Sequence, residues 1–176
     1  MKLAIQFVLS PQTAWESLQE KEPKLYKDFL MPLWGLVVLA SFLGGWFITR
    51  DSSLELGIKN AIIETFTLFV GFHVASFILN EYINKMTDVE KGLRRTQWFV
   101  ACSSSLVYLL DMVVALVNDF FFMWLFSLYT FYIVYIGAEI YYKVIPERKV
   151  NFMLIASILI LGIPLIVKLC LSWIIT

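Results

Sequence analysis

Three ionisable side chains, those of Glu64, Asp111 and Lys168, lie inside long apolar stretches of this sequence. A charge at the centre of a bilayer costs about 2.5–3.5 kcal/mol on insertion scales, and an opposite charge beside it offsets part of that cost. Glu64 and Asp111 lie roughly 9 Å from one predicted membrane face at about 1.5 Å per residue, and Lys168 reaches the same half of the bilayer. The sequence therefore predicts a polar cluster in which Lys168 pairs with Glu64 or Asp111.

Two interpretations of this polar cluster remain open. In the first, the cluster is a structural ion pair, and Lys168 extends its ammonium group toward water. In the second, the three side chains line a polar cavity that opens to the outside and takes an ion, a proton or a polar substrate.

Four further polar residues are expected to form hydrogen bonds between helices. His73 lies nine residues after Glu64, which places it on the opposite face of a helix at roughly 100° per residue. A lone intramembrane histidine without cysteine or carboxylate at metal-ligand spacing is typical of an interhelical hydrogen bond, so no metal site is predicted. The other three candidates fall on similar polar stripes and are Asn80, Ser104 and Glu139.

No arrangement of residues in the sequence predicts catalysis. The triplet Ser103, Ser104 and Ser105 offers nucleophiles, but no histidine and acid are placed to activate them. Glycine-rich phosphate loops, CxxC and HExxH patterns do not occur. The sequence therefore predicts a protein that is not an enzyme and has no catalytic residue and no cofactor. Its net charge of zero provides no bulk electrostatic reason to bind nucleic acid.

The composition indicates that a membrane must position these residues. The sequence has 176 residues, of which 60% are apolar and only 16% are charged. Soluble domains have about 45–50% apolar and about 25% charged residues. We predict one all-α membrane domain over residues 1–176, a polytopic bundle of five transmembrane helices, because five apolar stretches each reach the length of about 17–20 residues that a span requires. These stretches are 29–49, 58–83, 98–117, 120–142 and 152–175.

The segment 1–28 precedes the first predicted span. Ser10 is a favourable N-cap and Pro11 suits a first helical position, so a short amphipathic helix is predicted over residues 10–22. Trp15 and Leu18 share one face of it. Either this helix lies in the interface with Trp15 at the headgroups, or it packs against the bundle. No signal peptide is expected, because Lys2 precedes only a short apolar stretch without a cleavage pattern.

Small residues in the first span predict close contact between helices. Ala40 and Gly44 are four residues apart, as are Ser41 and Gly45, and such pairs allow two helix backbones to approach each other.

The distribution of lysine and arginine predicts the orientation. With five spans, the amino-terminal segment and the loops 84–97 and 143–151 share one side and hold eleven basic residues, against three elsewhere. Because basic residues are retained on the cytoplasmic side, the amino terminus is predicted to be cytoplasmic and the carboxyl terminus outside.

Two segments are similar to a known family. SPQTAW near the start is similar to the proline-then-tryptophan segment that precedes the first span of bacterial Yip-domain proteins. The stretch LYTFYIVYIGAEIYYKVIPERKVNF is similar to the fourth span of that family, where an aromatic-rich helix contains a glycine, here Gly137, and continues into a loop with proline and lysine. The five-span architecture also agrees. The sequence thus resembles the Yip-domain family of Rab-GTPase-interacting membrane proteins, as a bacterial-type member.

The resemblance implies an inner-membrane protein without catalytic residues. The eukaryotic members of the family are membrane proteins that engage Rab-type GTPases and act in vesicle traffic, and their longer cytoplasmic amino-terminal region has no counterpart in this sequence. We therefore expect a non-enzymatic protein of the bacterial inner membrane that acts by helix packing, by lipid contact, and by self-association or assembly with another membrane protein. The alternative is a small transporter or channel that uses the polar cluster, and a weaker one is a membrane enzyme acting on lipid.

Overall fold

The computed structural model describes residues 2–20, 24–83, 92–117 and 123–175. All regular secondary structure within these ranges is helical, which confirms the predicted all-α fold class. The helices in chain order are α1 (Lys2–Leu9), α2 (Pro11–Glu20), α3 (Leu25–Ile48), α4 (Leu54–Ile83), α5 (Leu93–Ser103), α6 (Ser105–Leu116), α7 (Met123–Ser127), α8 (Tyr129–Ile140) and α9 (Pro146–Ile175).

Three helices are long and apolar enough to cross a membrane, namely α3, α4 and α9. The pair α5 and α6 meets the same requirement when it is taken as one span, although its two halves are bent by 44°. The described apolar helix Leu125–Ile140 is shorter. The structure therefore provides three or four candidate spans, and the predicted count of five is not confirmed.

The predicted third and fourth spans account for the lower count. The stretch 98–117 is interrupted at Ser104, where ψ is −2° and the α-helix stops between two other serines. Serine is a poor helix former because its hydroxyl group competes for backbone hydrogen bonds. The stretch 120–142 starts among residues 118–122, which lie outside the described residues, and its described part is interrupted at Leu128.

The two amino-terminal helices pack against the bundle. Trp15 of α2 is fully buried, and its Nε1 donates a hydrogen bond of 3.1 Å to the carbonyl oxygen of Ile133 on α8. Its ring stacks on Phe99 with centroids 5.3 Å apart and meets the edge of Phe7 at 4.8 Å. Of the two alternatives considered for this segment, the structure has the packed helix and not one with Trp15 among headgroups.

The small residues of α3 mark its closest contacts with other helices. A Cβ atom added at Gly44 would lie 2.0 Å from the carbonyl oxygen of Ala115 on α6. One added at Gly45 would lie 2.9 Å from the backbone of Gly57 on α4. Both distances are shorter than van der Waals contact, so only glycine permits these approaches. The end of α3 is π-helical over Gly44–Ile48, with the Thr49 N–H donating to the carbonyl of Gly44.

Candidate functional site

An ion pair joins α4 to α9 within the bundle. The Nζ atom of Lys168 lies 2.7 Å from Oε2 of Glu64. The side chain of Glu64 is 3% exposed and that of Lys168 is 45% exposed. The carboxylate is therefore enclosed by the protein, while the lysine stem reaches it from the surface of α9.

The register of α4 against α9 explains this pairing. Gly71 lies seven residues after Glu64, on the same face of α4 at roughly 100° per residue. A Cβ atom on Gly71 would lie 3.0 Å from Pro164, which precedes Lys168 by one helical turn. Moving toward the carboxyl end of α4, from Glu64 to Gly71, thus corresponds to moving toward the amino end of α9, from Lys168 to Pro164. The two helices therefore run antiparallel. Gly71 lets them approach closely enough for Lys168 to reach Glu64.

Asp111 of α6 completes the cluster without forming a direct bond. It lines two cavities, of about 270 and about 290 Å³, and both are also lined by Glu64 and Lys168. Among the residues that the structure describes, the side chain of Asp111 has no hydrogen bond and no ion pair. The structure therefore places all three predicted residues around the same space, and Lys168 pairs directly with Glu64.

The two cavities differ in their walls. The first lies among α4, α6, α7 and α9 and has a largely apolar lining that includes Val107, Leu110 and Leu161. The second lies among α3, α4, α6 and α9, where Ser41, Asn60 and other polar residues join the three ionisable ones. The ionisable cluster therefore has an apolar compartment on one side and a polar compartment on the other.

The charges in this cluster do not cancel. When all three groups are ionised, two carboxylates face one ammonium group, which leaves an excess of one negative charge. A buried charge without a partner is costly because it loses hydration in a medium of low dielectric constant. In addition, Oε1 of Glu64 and the hydroxyl oxygen of Thr67, one turn along α4, have no hydrogen-bond partner in the described part of the chain.

His73 lies on the face of α4 away from Glu64 and bonds to α3. Its Nδ1 lies 2.7 Å from the carbonyl oxygen of Phe69, and its Nε2 lies 3.1 Å from the hydroxyl of Tyr26. Because a carbonyl only accepts, Nδ1 carries the proton, and in the neutral ring Nε2 accepts from Tyr26. Tyr26 also accepts from Gln97 on α5 at 3.4 Å, so His73 belongs to a three-helix chain of hydrogen bonds.

Asn80 belongs to a second chain of hydrogen bonds, which the sequence predicted only in part. The hydroxyl of Thr96 on α5 donates to Oδ1 of Asn80 at 3.2 Å, and the hydroxyl of Tyr142 donates to Thr96 at 3.1 Å. Thr96 was not among the predicted residues, because it lies in the polar run before the predicted third span. The only sequence signal for Thr96 was its position four residues after Gly92, in the first turn of α5.

Glu139 and Ser104 differ in what they contact. Glu139 of α8 pairs with Lys149 of α9, whose Nζ lies 3.7 Å from the ring centroid of Tyr135. Ser104 is buried at the break between α5 and α6, and within the described ranges its side chain has no hydrogen bond to another helix. Three of the four predicted interhelical residues therefore bridge helices, and Ser104 does not.

A basic region lies at the other end of the bundle. Arg94, Arg95 and Lys143 line a cavity of about 490 Å³ together with Trp98 and Tyr141. The guanidinium group of Arg95 lies 5.0 Å from the ring centroid of Tyr141 and donates to its carbonyl oxygen. In the described part of the chain, no group of histidine, cysteine and acidic residues could hold a metal ion.

Comparison with known proteins identifies one family. The family model of the Yip1 domain matches residues 5–169, which is nearly the whole chain. No curated protein and no solved structure gives a significant match.

Proposed function

Because the chain belongs to the Yip1 domain family, we propose that it is a non-enzymatic integral membrane protein that acts through helix packing, partner assembly and lipid contact. It would form a single membrane domain of the bacterial inner membrane over residues 1–176. The observation that supports this proposal best is the large apolar surface that α4 and α9 leave uncovered.

The uncovered face of α4 is aromatic. Phe66, Phe69 and Phe77 are 52%, 54% and 60% exposed, and their spacing of three and eight residues places them on one side of the helix. On α9 the exposed fraction rises to 90% at Trp173. A soluble monomer rarely exposes a contiguous apolar surface of this kind, so lipid or another protein must cover it.

The proposed topology has five crossings with the amino terminus in the cytoplasm. The basic cavity at Arg94, Arg95 and Lys143 would then face the cytoplasmic leaflet, where positive charge is retained during insertion. The cluster of Glu64, Asp111 and Lys168 would lie toward the outer leaflet. The fifth crossing requires the segment that contains α7 and α8 to pass through the bilayer.

Cysteine cross-linking in native membranes tests the proposal of assembly. In a Cys170→Ser background, Phe77→Cys is expected to form a disulfide-linked dimer when an oxidant is added, because residue 77 is on the uncovered face of α4. Ala75→Cys is the matched control, since Ala75 is 1% exposed on the buried side of the same helix. Equal cross-linking of the two variants, or none, would contradict self-association through α4. Release of the protein by alkaline carbonate would contradict membrane integration.

A second candidate function is a small transporter or channel. The two cavities on either side of the Glu64–Lys168 pair favour it, because intramembrane ionisable groups in a cavity are common along substrate and ion pathways. Flux of ions or small polar solutes into proteoliposomes tests this candidate. Flux that Glu64→Gln abolishes supports it, and wild-type protein without flux above that of empty liposomes rejects it.

A further inference from the structure

We propose that the cavity among α4, α6, α7 and α9 binds a primary ammonium group, carried either by a small amine or by a lipid headgroup. The cavity is the one of about 270 Å³ lined by Glu64, Thr67, Asp111 and Lys168. This inference does not depend on assembly through α4 or on transport, because binding alone would fulfil it.

The charge of the cavity favours a bound cation whenever Asp111 is ionised. Lys168 is already paired with Glu64, and it cannot neutralise the Asp111 carboxylate as well. Asp111 has no other hydrogen-bond or ion-pair partner in the part of the chain that the structure describes. One added positive charge would make the cluster neutral, and low-dielectric surroundings make that attraction stronger than it would be in water.

The hydrogen-bonding capacity of the cavity matches a primary ammonium group. Oε1 of Glu64 and Oγ1 of Thr67 are both buried and unpartnered among the described residues, and they lie one turn apart on one face of α4. With the carboxylate of Asp111 they provide three acceptors. A primary ammonium group has three N–H donors, whereas a quaternary ammonium group has none.

The rest of the lining favours an organic ligand over a bare metal ion. Hard cations such as Ca²⁺ take six to eight oxygen ligands, and the apolar side chains of Val107, Leu110 and Leu161 provide none. These side chains suit the carbon chain of an alkylammonium ion or the portion of a lipid next to its amine.

The cavity is accessible from the surface of the bundle. The most exposed residues of its wall are Val114 on α6 and Leu165 and Lys168 on α9, and of its lining only Glu64 and Thr67 are buried. The exposure of Val114, Leu165 and Lys168 places an opening between α6 and α9, on a side of the bundle that lipid would reach. A lipid headgroup in the same leaflet could therefore enter without passing through the protein.

Isothermal titration of the purified full chain in detergent tests this proposal, with n-butylammonium as the probe. Tetramethylammonium is the matched probe, since it has the same charge without N–H donors. We expect butylammonium to bind at least about tenfold more tightly than tetramethylammonium, because each lost hydrogen bond to a charged group weakens binding substantially. Equal affinity for the two probes, or no binding of butylammonium together with no retained lipid amine, would overturn the proposal.

Variants identify the site. Asp111→Asn keeps the side-chain shape and removes the excess charge, so butylammonium affinity should fall about tenfold or more. Thr67→Val provides a second variant that alters no charge and should weaken butylammonium more than tetramethylammonium. Glu55→Gln is the control, because Glu55 pairs with Lys59 on the surface of α4 and does not line the cavity. Unchanged binding in both cavity variants would overturn the assignment of the site.

A comparison of lipids distinguishes the two sources of the amine. The protein is reconstituted in nanodiscs of phosphatidylcholine alone or with phosphatidylethanolamine, and native mass spectrometry reads the lipids it retains. Selective retention of phosphatidylethanolamine that Asp111→Asn abolishes identifies the headgroup as the ligand. Butylammonium binding without such retention identifies a small soluble amine. If neither butylammonium nor phosphatidylethanolamine binds, the cross-linking result at Phe77 is unaffected. The proposal of an ammonium site and the proposal of assembly through α4 can therefore fail separately.

Discussion

The ammonium nitrogen of Lys168 lies 2.7 Å from one carboxylate oxygen of Glu64, while the side chain of Asp111 faces the same space without a direct partner among the described residues. This asymmetry distinguishes the cluster from a simple structural ion pair. A pair alone would be neutral, whereas the third group, when it is ionised, gives the cluster an excess of one negative charge.

Replacing Lys168 by Met should destabilise the protein more than replacing Glu64 by Gln. The first change leaves two carboxylates around the cavity with no cation. Breaking a fully buried pair by removing one partner costs about 3–5 kcal/mol, and a smaller loss is expected here because the side chain of Lys168 is 45% exposed. The second change leaves Lys168 available to Asp111. Reversible unfolding in mixed detergent and lipid measures the difference. The double variant should recover part of the loss, and no recovery would argue against a direct interaction between the two side chains.

Gly137→Ala should destabilise the packing of α2 on α8. A Cβ atom at residue 137 would lie 2.6 Å from ring carbons of Trp15, which is fully buried and cannot move aside easily. Overpacking of this kind costs about 1–3 kcal/mol.

Gly162→Ala is the control for that prediction. Gly162 lies in α9, and a Cβ atom there would contact nothing within 4 Å. Because alanine stabilises a helix relative to glycine by about 0.5–1 kcal/mol, the control should be neutral or more stable. Thermal unfolding followed by helical circular dichroism measures both variants, and equal stability of the two would contradict the tight contact at Trp15.

Thr96→Val should destabilise the protein by about 1–3 kcal/mol, because Asn80 and the Tyr142 hydroxyl would each lose a buried hydrogen-bond partner. Thr65→Val is the matched control, since Thr65 is exposed and, within the described ranges, its hydroxyl bonds only to the carbonyl of Ala61 in its own helix. The same unfolding measurement compares them. A control that loses as much stability as Thr96→Val would contradict the importance of the three-residue network.

A green fluorescent protein fused after the last residue should be dark in bacterial cells. Five crossings place the carboxyl terminus outside the cytoplasm, where this reporter does not fluoresce when exported through the general secretion route. The same reporter fused within 143–151 should fluoresce, because that loop is predicted to be cytoplasmic. Fluorescence at the carboxyl terminus would indicate four crossings, with α7 and α8 remaining on one side of the bilayer.

Much of the fold was predictable from sequence, and the errors had local causes. The long helices α3, α4 and α9 were expected because unbroken apolar runs of this length have few other structures available. The break at Ser104 was not expected, because the hydropathy of 98–117 is high on both sides of it. The burial of Trp15 was left as one of two alternatives, since an amphipathic helix has the same pattern against lipid and against protein.

The sequence by itself indicated that the chain belongs in a membrane and that its structure is helical, and it predicted similar depths for Glu64, Asp111 and Lys168. These are properties of composition, run length and position along a helix of known rise. The tertiary structure alone decided that Lys168 bonds to Glu64 and not to Asp111, and that Asn80 meets Thr96. Such choices depend on how each helix is rotated and how closely it crosses its neighbour. Those quantities arise from side-chain packing between segments far apart in the chain, as at Gly71 and Pro164.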